Sequence, residues 1–371
     1  MRRGAAAPLL DRRLDERLSA GEAFFTAEAE RIALTCRRMS ERFASGGRLL
    51  ATGPGPQARS DARHIAVEFV HPVIVGKRAL PALCVEGDLG LLARPDDIVV
   101  EFSEDAGVVI DGERFDPPSE DPFVRQELVE TLYHVLWELV HVFFEHRGLL
   151  EGRSERASHD AGASSFLYPF LAEREDDLEA VVADVRASVL MKAEEVGELR
   201  AQTLTDGAAE LDATAAALRE AFASGGRLLA LGNGGSATDA ADAVADFREP
   251  PHGWPPRPAI DLTADPAILT AIANDVGVEA VFARQTIAYG SAGDVLLALS
   301  TSGGSANVLE ALREARRRGL VTIALVGYDG GPIAAERLAD HVVVTRSQSI
   351  PRIQEAQATA YHVLRALVES V

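Results

Sequence analysis

The chain repeats itself. Phe43 to Gly53 reads FASGGRLLATG, and Phe222 to Gly232 reads FASGGRLLALG. Further on, Gln126-Glu127 with Thr131-Leu132-Tyr133-His134-Val135-Leu136 returns as Gln354-Glu355 with Thr359-Ala360-Tyr361-His362-Val363-Leu364. Two matched blocks in the same order imply two copies of one domain, and such a repeat constrains the fold before any local propensity does. The copies are unequal: 81 residues separate Gly53 from His134, whereas 130 separate Gly232 from His362. The first copy has lost about 49 residues between its anchors.

Each copy opens with apolar residues at three-to-four spacing, Arg13 to Phe43 and Asp206 to Ala223, the period of a helix. An apolar run ending in glycine follows (Arg48 to Gly53; Arg227 to Gly232), as a buried parallel strand entering a tight turn would. The second copy continues with strands at Ala259–Leu262, Asp294–Ser300, Val321–Val326 and His341–Thr345. Helices at Pro266–Asn274, Ala306–Arg318 and Arg352–Val371 alternate with them. Such alternation predicts a doubly wound α/β domain. In the first copy Val73–Val75, Ala82–Glu86 and Asp97–Phe102 read as strands, and the helix and strand expected next are missing. The predicted fold class is two doubly wound parallel-sheet domains, the first truncated. The expected divisions are a first domain over 1–147, a Gly/Ser-rich connection over 148–177 and a complete domain over 178–371, the last led by a long helix from Asp176 to Arg200.

Charge narrows the partners. Thirty-seven basic against 57 acidic residues leave a net charge of −20, which opposes non-specific binding to nucleic acid and to anionic membranes. Two cysteines, Cys36 and Cys84, give no disulfide framework. The opening apolar stretch is broken by Asp11, Arg12 and Arg13, and the run Val135–Phe144 contains Glu138 and His141. A cytoplasmic protein without membrane spans is expected.

An anionic substrate then needs fixed dipoles rather than a basic field. Gly232-Asn233-Gly234-Gly235-Ser236 lies between a strand and a helix, where glycine backbone N–H groups and a helix N-terminus make an anion site. Ser300-Thr301-Ser302-Gly303-Gly304-Ser305 follows another strand and offers four hydroxyls. Taken alone, either loop is an ordinary Gly/Ser turn. Two at the carboxyl ends of strands in one sheet, where open α/β folds place ligands, point to a phosphate pocket.

These loops, with Ala273-Asn274-Asp275 and Arg352-Ile353-Gln354-Glu355 followed by His362, resemble the phosphoheptose isomerases of the sugar-isomerase (SIS) fold. The resemblance covers Thr205–Val371 closely and Thr26–Arg147 more weakly. It implies sugar-phosphate contacts at Asn233, Gly234, Ser236, Asn274, Asp275, Ser300, Thr301, Ser302, Ser305 and Gln354. Pro351 stands where some members carry an acidic residue.

The resemblance also implies a zinc site, built from a His and a Glu four apart after the glycine loop and a Gln and a His on the closing helix. Here the two copies divide. The first keeps His64, Glu68, Gln126 and His134, and the second carries Asp242 and Asp246 in place of the first pair. Residues at i and i+4 share a helical face and meet at one cation. Conversely, the first copy replaces the glycine turn by Gly53-Pro54-Gly55-Pro56-Gln57, and proline has no N–H to give. Its counterpart of the hydroxyl loop is Ser103-Glu104-Asp105, whose carboxylates repel phosphate. Each copy lacks what the other keeps. A lone histidine such as His134 or His362 is ordinarily a packed side chain; the matching quartet gives His134 its role. Glu138 and His141 have an ExxH spacing with no second motif to accompany it and are read as incidental.

The expected function is isomerisation of sedoheptulose 7-phosphate to an aldose through an enediol(ate), at a composite site between the halves. A Zn²⁺-like ion polarises the substrate, Glu68 is the base, and His134 or His362 is the second proton carrier. Gln126 and His134 are eight residues apart, about 12 Å of helical rise, a long reach for two ligands of one ion. Either the helix starts after Gln126, or Gln354 or His362 of the other half serves. The expected assembly is a dimer of pseudo-dimers. The competing reading is a non-catalytic sugar-phosphate sensor or scaffold, favoured by Asp242 and Asp246 and opposed by His64 and Glu68.

Overall fold

The computed structural model describes residues 7–73, 77–145, 178–251 and 253–370. They form two compact units, Ser19–Glu195 and a second made of Met1–Leu18 with Val196–Val371. The expected connection over 148–177 lies outside the described residues. The units do not divide there alone. The long helix α1 (Ala7–Ala44) gives its first turns to the second unit, and α4 (Leu178–Asp206) starts in the first and ends in the second.

In the second unit α5 (Ala208–Ala223) leads into β6 (Leu228–Leu231), α6 (Gly235–Arg248), β7 (Ala259–Asp261), α7 (Pro266–Asp275) and α8 (Val281–Tyr289). Then follow β8 (Val295–Ser300), α9 (Ala306–Arg317), β9 (Val321–Gly327), α10 (Gly331–Ala335), β10 (His341–Thr345) and α11 (Ile350–Glu369). The sheet runs β10-β9-β8-β6-β7 with every pair parallel, so the chain reverses its direction of winding between β6 and β8. Strand residues alternate between two cores. Leu228, Ala230, Leu297 and Leu325 pack with Leu218, Phe247 and Leu364, while Leu229, Leu231, Leu296 and Val326 pack with Phe282, Val308 and Leu312. Helices on both faces explain the near-continuous apolar strands seen in the sequence.

The first unit is a parallel core with a different ending. After α1 come β1 (Leu49–Thr52), α2 (Gly55–Val70), β2 (Ala82–Cys84) and β3 (Ile98–Phe102). They are followed by β4 (Val108–Ile110), β5 (Glu113–Phe115) and α3 (Pro122–Glu145). The order β2-β1-β3-β4-β5 is parallel through β3 and antiparallel beyond it. A hairpin thus fills the edge where the second unit has β9 and β10. Its turn, Asp111-Gly112, has φ of 50° and 82°, the doubly left-handed turn that matches strand twist. The strand expected at Val73–Val75 is not seen at Val73, which lies in a bend, and 74–76 fall outside the described residues.

One clamp recurs in both sheets. The Asp97 carboxylate accepts from the backbone N–H of Arg48 (2.9 Å) and Arg94 (3.0 Å) and pairs with the Arg48 guanidinium at 2.6 Å. Asp294 does the same with the backbone N–H of Arg227 (2.8 Å) and Ser291 (2.9 Å) and the Arg227 guanidinium at 3.2 Å. Each clamp sits at the start of the paired central strands and fixes their register. Among the described residues, no helix is long and apolar enough to cross a membrane.

Candidate active site

In the second unit the two glycine/hydroxyl loops leave the carboxyl ends of β6 and β8, the strands that flank the change of winding. In open α/β sheets that crevice is where ligands bind. Gly232 is required there by close packing, since a Cβ on it would meet the Ser236 carbonyl oxygen at 2.1 Å. Gly234 has φ +57° with ψ −126°, a region that side chains avoid. Ser236 is buried, and Asn233 and Gly234 are exposed at the loop's crest.

The second loop is tightened from within. Ser300 Oγ accepts from the Gly303 N–H at 3.1 Å, and Ser302 Oγ accepts from the Gly304 N–H at 3.2 Å. Ser300 is buried, Thr301 and Ser305 half-buried, Ser302 exposed. The two loops are tied together by Asn307, which ends the STSGGSAN stretch and is not among the expected contacts. Asn233 Nδ2 donates to Asn307 Oδ1 and Asn307 Nδ2 donates to Asn233 Oδ1, each at 2.9 Å. Asn307 stands two residues beyond Ser305, at the start of α9.

The remaining expected substrate contacts lie elsewhere on the unit. Asn274 and Asp275 are exposed at the end of α7, where the Asn274 amide donates to Asp275 at 2.7 Å. Gln354 is buried in the first turns of α11. Beside it, Ile353 lies against Gly327, and a Cβ at Gly327 would also meet the Thr301 carbonyl at 2.4 Å. The N-terminal end of α11 therefore abuts the hydroxyl loop.

In the first unit the same strand ends are closed to anions. Gly53 repeats the packing of Gly232, since a Cβ on it would meet the Ala58 carbonyl oxygen at 2.4 Å, but Pro54 and Pro56 flank the turn. After β3, Asp105 accepts from the Ser103 hydroxyl and pairs with Arg114, while Arg125 pairs with Asp116. The Ser103 hydrogen bond, then the charge of Arg114, hold the Asp105 carboxyl below its usual value against desolvation. Asp105 therefore remains a fixed negative charge.

What the first unit builds instead is a buried cluster of three donors. His64 and Glu68, one turn apart on α2, meet His134 of α3, and none is more than 2% exposed. His64 Nε2 lies 3.3 Å from His134 Nε2 and 3.8 Å from Glu68 Oε1. Two donors bound to one zinc at about 2.0–2.1 Å in tetrahedral geometry lie about 3.3–3.4 Å apart. The two histidines have that spacing, and Glu68 stands wider, at 3.8 Å. Burial, then the neighbouring His134, push the His64 imidazole well below its usual pKa, so it is neutral near pH 7 and offers a lone pair.

Tyr133, which lies in the repeated block but is given no role by the sequence reading, orients this ring. Its hydroxyl is 3.0 Å from His64 Nδ1 and 3.4 Å from Asp61 Oδ1. In the tautomer that leaves Nε2 bare, Nδ1–H donates to the Tyr133 oxygen and the hydroxyl donates to Asp61, the arrangement by which metal-binding histidines are held. A signal exists for it, since Tyr133-His134 recurs as Tyr361-His362. Helix α3 starts at Pro122 and is continuous through both Gln126 and His134. Gln126 Nε2 accordingly reaches Asp61 at 3.3 Å, one turn of α2 before His64.

The second unit repeats the arrangement with different groups. Asp242, Asp246 and His362 come together, all buried, with His362 Nε2 at 3.5 Å and 3.3 Å from the two carboxylates. The other histidines with described contacts serve structure. His141 places its ring nitrogens at the carbonyls of Trp137 (2.8 Å) and Arg78 (2.9 Å), beside a Glu138 paired with Lys192 at 2.7 Å. His341 pairs with Glu210 at 2.8 Å.

Comparison with known proteins agrees with this geometry. A family model described as SIS domain matches residues 193–327. The phosphoheptose isomerase of Chlorobaculum tepidum is 49% identical over 164 residues, 43% of this chain and 77% of that protein. That of a Roseiflexus species is 41% identical over 196 residues, 51% of this chain and 91% of that protein. The solved tagatose-6-phosphate ketose/aldose isomerase of Escherichia coli aligns over 100% of this chain and 95% of its own at a TM-score of 0.50, with 14% identity, a likeness of fold alone. The stretch that carries the paired loops at the winding reversal is thus shared, at close to half identity, with proteins of one name, and the chain belongs to the phosphoheptose isomerase family.

Proposed function

We propose that the chain is an aldose–ketose isomerase that converts sedoheptulose 7-phosphate to an aldose heptose 7-phosphate. The observation that carries this reading is the buried His64–Glu68–His134 cluster, whose two imidazole nitrogens are spaced as ligands of one divalent ion. The loops of the second unit, Asn233–Ser236 and Ser300–Ser305, take the phosphate and sugar hydroxyls, with Gln354, Asn274 and Asp275 as further contacts. Their donors are neutral, so the phosphate is held by oriented N–H and O–H groups in a protein of strongly negative charge.

Isomerisation moves one proton between neighbouring carbons. Glu68 takes the proton from the carbon beside the carbonyl and returns it to the old carbonyl carbon, while an enediolate forms between the two steps. His134 carries the second proton between the two oxygens, with His362 the alternative carrier. A zinc-type ion bound by His64, Glu68 and His134, with Gln126 or else Gln354 or His362 of the other half as the fourth candidate ligand, would supply electrophilic stabilisation of the developing oxyanion. Tyr133 keeps His64 in the tautomer this requires.

The reading includes a single composite site, supported by the complementary losses in the two copies, and with them an origin by duplication. It also includes cytoplasmic residence, which the two free thiols Cys36 and Cys84 favour, and assembly as a dimer of pseudo-dimers. The test is turnover of sedoheptulose 7-phosphate by the full chain together with its metal content. Turnover that disappears on chelation and returns with zinc supports the isomerase. A metal-free chain that binds the sugar phosphate without turnover would instead be the sensor favoured by Asp242 and Asp246.

A further inference from the structure

One buried amide of α11 plays no part in the reading above. Gln357 is 1% exposed, and neither its Oε1 nor its Nε2 has a hydrogen-bond partner among the described residues. By contrast, Gln285 in the same unit donates to the carbonyls of Leu262 at 2.8 Å and Val281 at 3.1 Å, and Asn307 exchanges bonds with Asn233. A carboxamide withdrawn from water costs free energy unless another polar group meets it, so a native fold keeps an unmet one for a reason.

The repeat supplies a control. In the matched block of the first copy, Gln126-Glu127-Leu128-Val129 stands for Gln354-Glu355-Ala356-Gln357. Val129 is 1% exposed and belongs to the apolar core of its unit. The position therefore accepts an apolar side chain, and does so in the copy whose strand ends are closed to anions. The amide is found in the copy that keeps the glycine and hydroxyl loops.

Its neighbours on α11 fix the direction it faces. Residues four apart on a helix lie one above the other, about 40° apart around the axis. Ile353, four before, packs against Gly327 at the carboxyl end of β9, where the Thr301 carbonyl of the hydroxyl loop also approaches. Tyr361, four after, donates at 2.7 Å to Asp242 of α6, the helix that leaves the glycine loop. Gln357 falls between these two, on the stripe of α11 that runs from the hydroxyl loop to α6.

We propose that Gln357 is a further sugar-binding residue of the second unit, and that it recognises two adjacent hydroxyls of the substrate chain. A carboxamide sets an acceptor beside a donor, and a vicinal diol answers both. Oε1 accepts from one hydroxyl while Nε2 donates to the next. The loops hold the phosphate, which any phosphate ester carries, and Gln357 reads the chain attached to it. A site built to hydrogen-bond hydroxyls rejects the analogue that lacks them, because its buried polar group is then left unmatched. Gln357 thus sets specificity and moves no proton. The inference rests on the sugar-phosphate reading of this pocket, though not on turnover.

The experiment compares sedoheptulose 7-phosphate with butyl phosphate, a phosphate ester without hydroxyls, by calorimetric titration of the full chain. The native chain should prefer the sugar phosphate. Gln357→Met, similar in length and without the amide, should weaken the sugar phosphate about tenfold and leave butyl phosphate within about twofold. Without ligand it should melt no lower than the native chain, since its substitution strands no partner. Gln357→Asn, whose amide is drawn back by one methylene, should lose the same preference, a second readout should Gln357→Met fail to fold. Sugar-phosphate binding without turnover would defeat the isomerase reading and leave this inference standing. A native chain with no preference for the sugar phosphate, or a folded Gln357→Met chain that keeps the native preference, would overturn it.

Discussion

Asn233 and Asn307 exchange two side-chain amide hydrogen bonds of 2.9 Å across the point where the second sheet changes its winding. Seventy-four residues apart in sequence, they join the glycine loop to the first turn of the helix behind the hydroxyl loop. Asn233 is exposed, so water takes the place of a removed partner, and the loss is that of ordinary neutral hydrogen bonding, about 0.5–1.5 kcal/mol. Asn307→Ala should therefore raise KM for the sugar phosphate about twofold to tenfold while leaving the metal content of the chain unchanged. Steady-state kinetics beside metal analysis checks it, and an unaltered KM removes Asn307 from the site.

The hydroxyl loop makes a narrower prediction. Ser302→Ala and Ser305→Ala should each weaken sugar-phosphate binding by about 1–3 kcal/mol, measured by calorimetric titration. If both variants bind like the native chain, the phosphate does not sit in this loop.

Glu68 separates chemistry from binding. Glu68→Gln keeps the shape and removes the base, so kcat should fall by about 10²–10⁴ with little change in substrate affinity. Retention of kcat in a folded, metal-loaded variant would exclude Glu68 as the proton acceptor.

Acid stability is set in part by the clamp at the start of the first sheet. The Arg48 guanidinium, with the backbone N–H groups of Arg48 and Arg94, holds the Asp97 carboxyl at about 2. A lowered carboxyl favours the folded state wherever the unfolded chain would bind the proton first. Its contribution is complete above the unfolded value of about 4 and is lost as pH falls from there toward 2. Because Arg48 is partly exposed and screened by water, the contribution is about 1–2 kcal/mol. Urea unfolding should show Asp97→Asn less stable than the native chain at pH 6, with the gap closing by pH 2. A gap that stays constant with pH would show that packing, not charge, is lost.

Much of this fold is legible from two sequence properties. Apolar runs ending in Gly53 and Gly232 place the central strands, and the recurrence of Tyr-His places the closing helices. The hairpin of the first unit escapes a reading based on apolar runs alone, because its strands are three residues each. Its turn is nevertheless written as Asp111-Gly112 between Val108-Val109-Ile110 and Glu113-Arg114-Phe115, a pattern with its own physical meaning. Asn307 and Tyr133 are harder. Each owes its role to a partner on another element, Asn233 or His64, and spacing along one helix does not disclose such a pairing. The same limit applies to Gln126, whose place beside Asp61 depends on how α2 and α3 cross.

The sharing of α1 and α4 between units has a consequence for the integrity of the chain. Val181, Val185 and Val189 belong to the first core, although they follow the segment over 148–177. Leu10 belongs to the second core, although it precedes everything else in the fold. Scission within that segment would therefore yield fragments that each carry away part of the other's interior. Each stranded valine or leucine forfeits about 1.5–3 kcal/mol of burial, a sizeable share of the margin by which domains stay folded. The two copies read as neighbours in sequence, yet the interior of each is completed by chain from the far side of that segment.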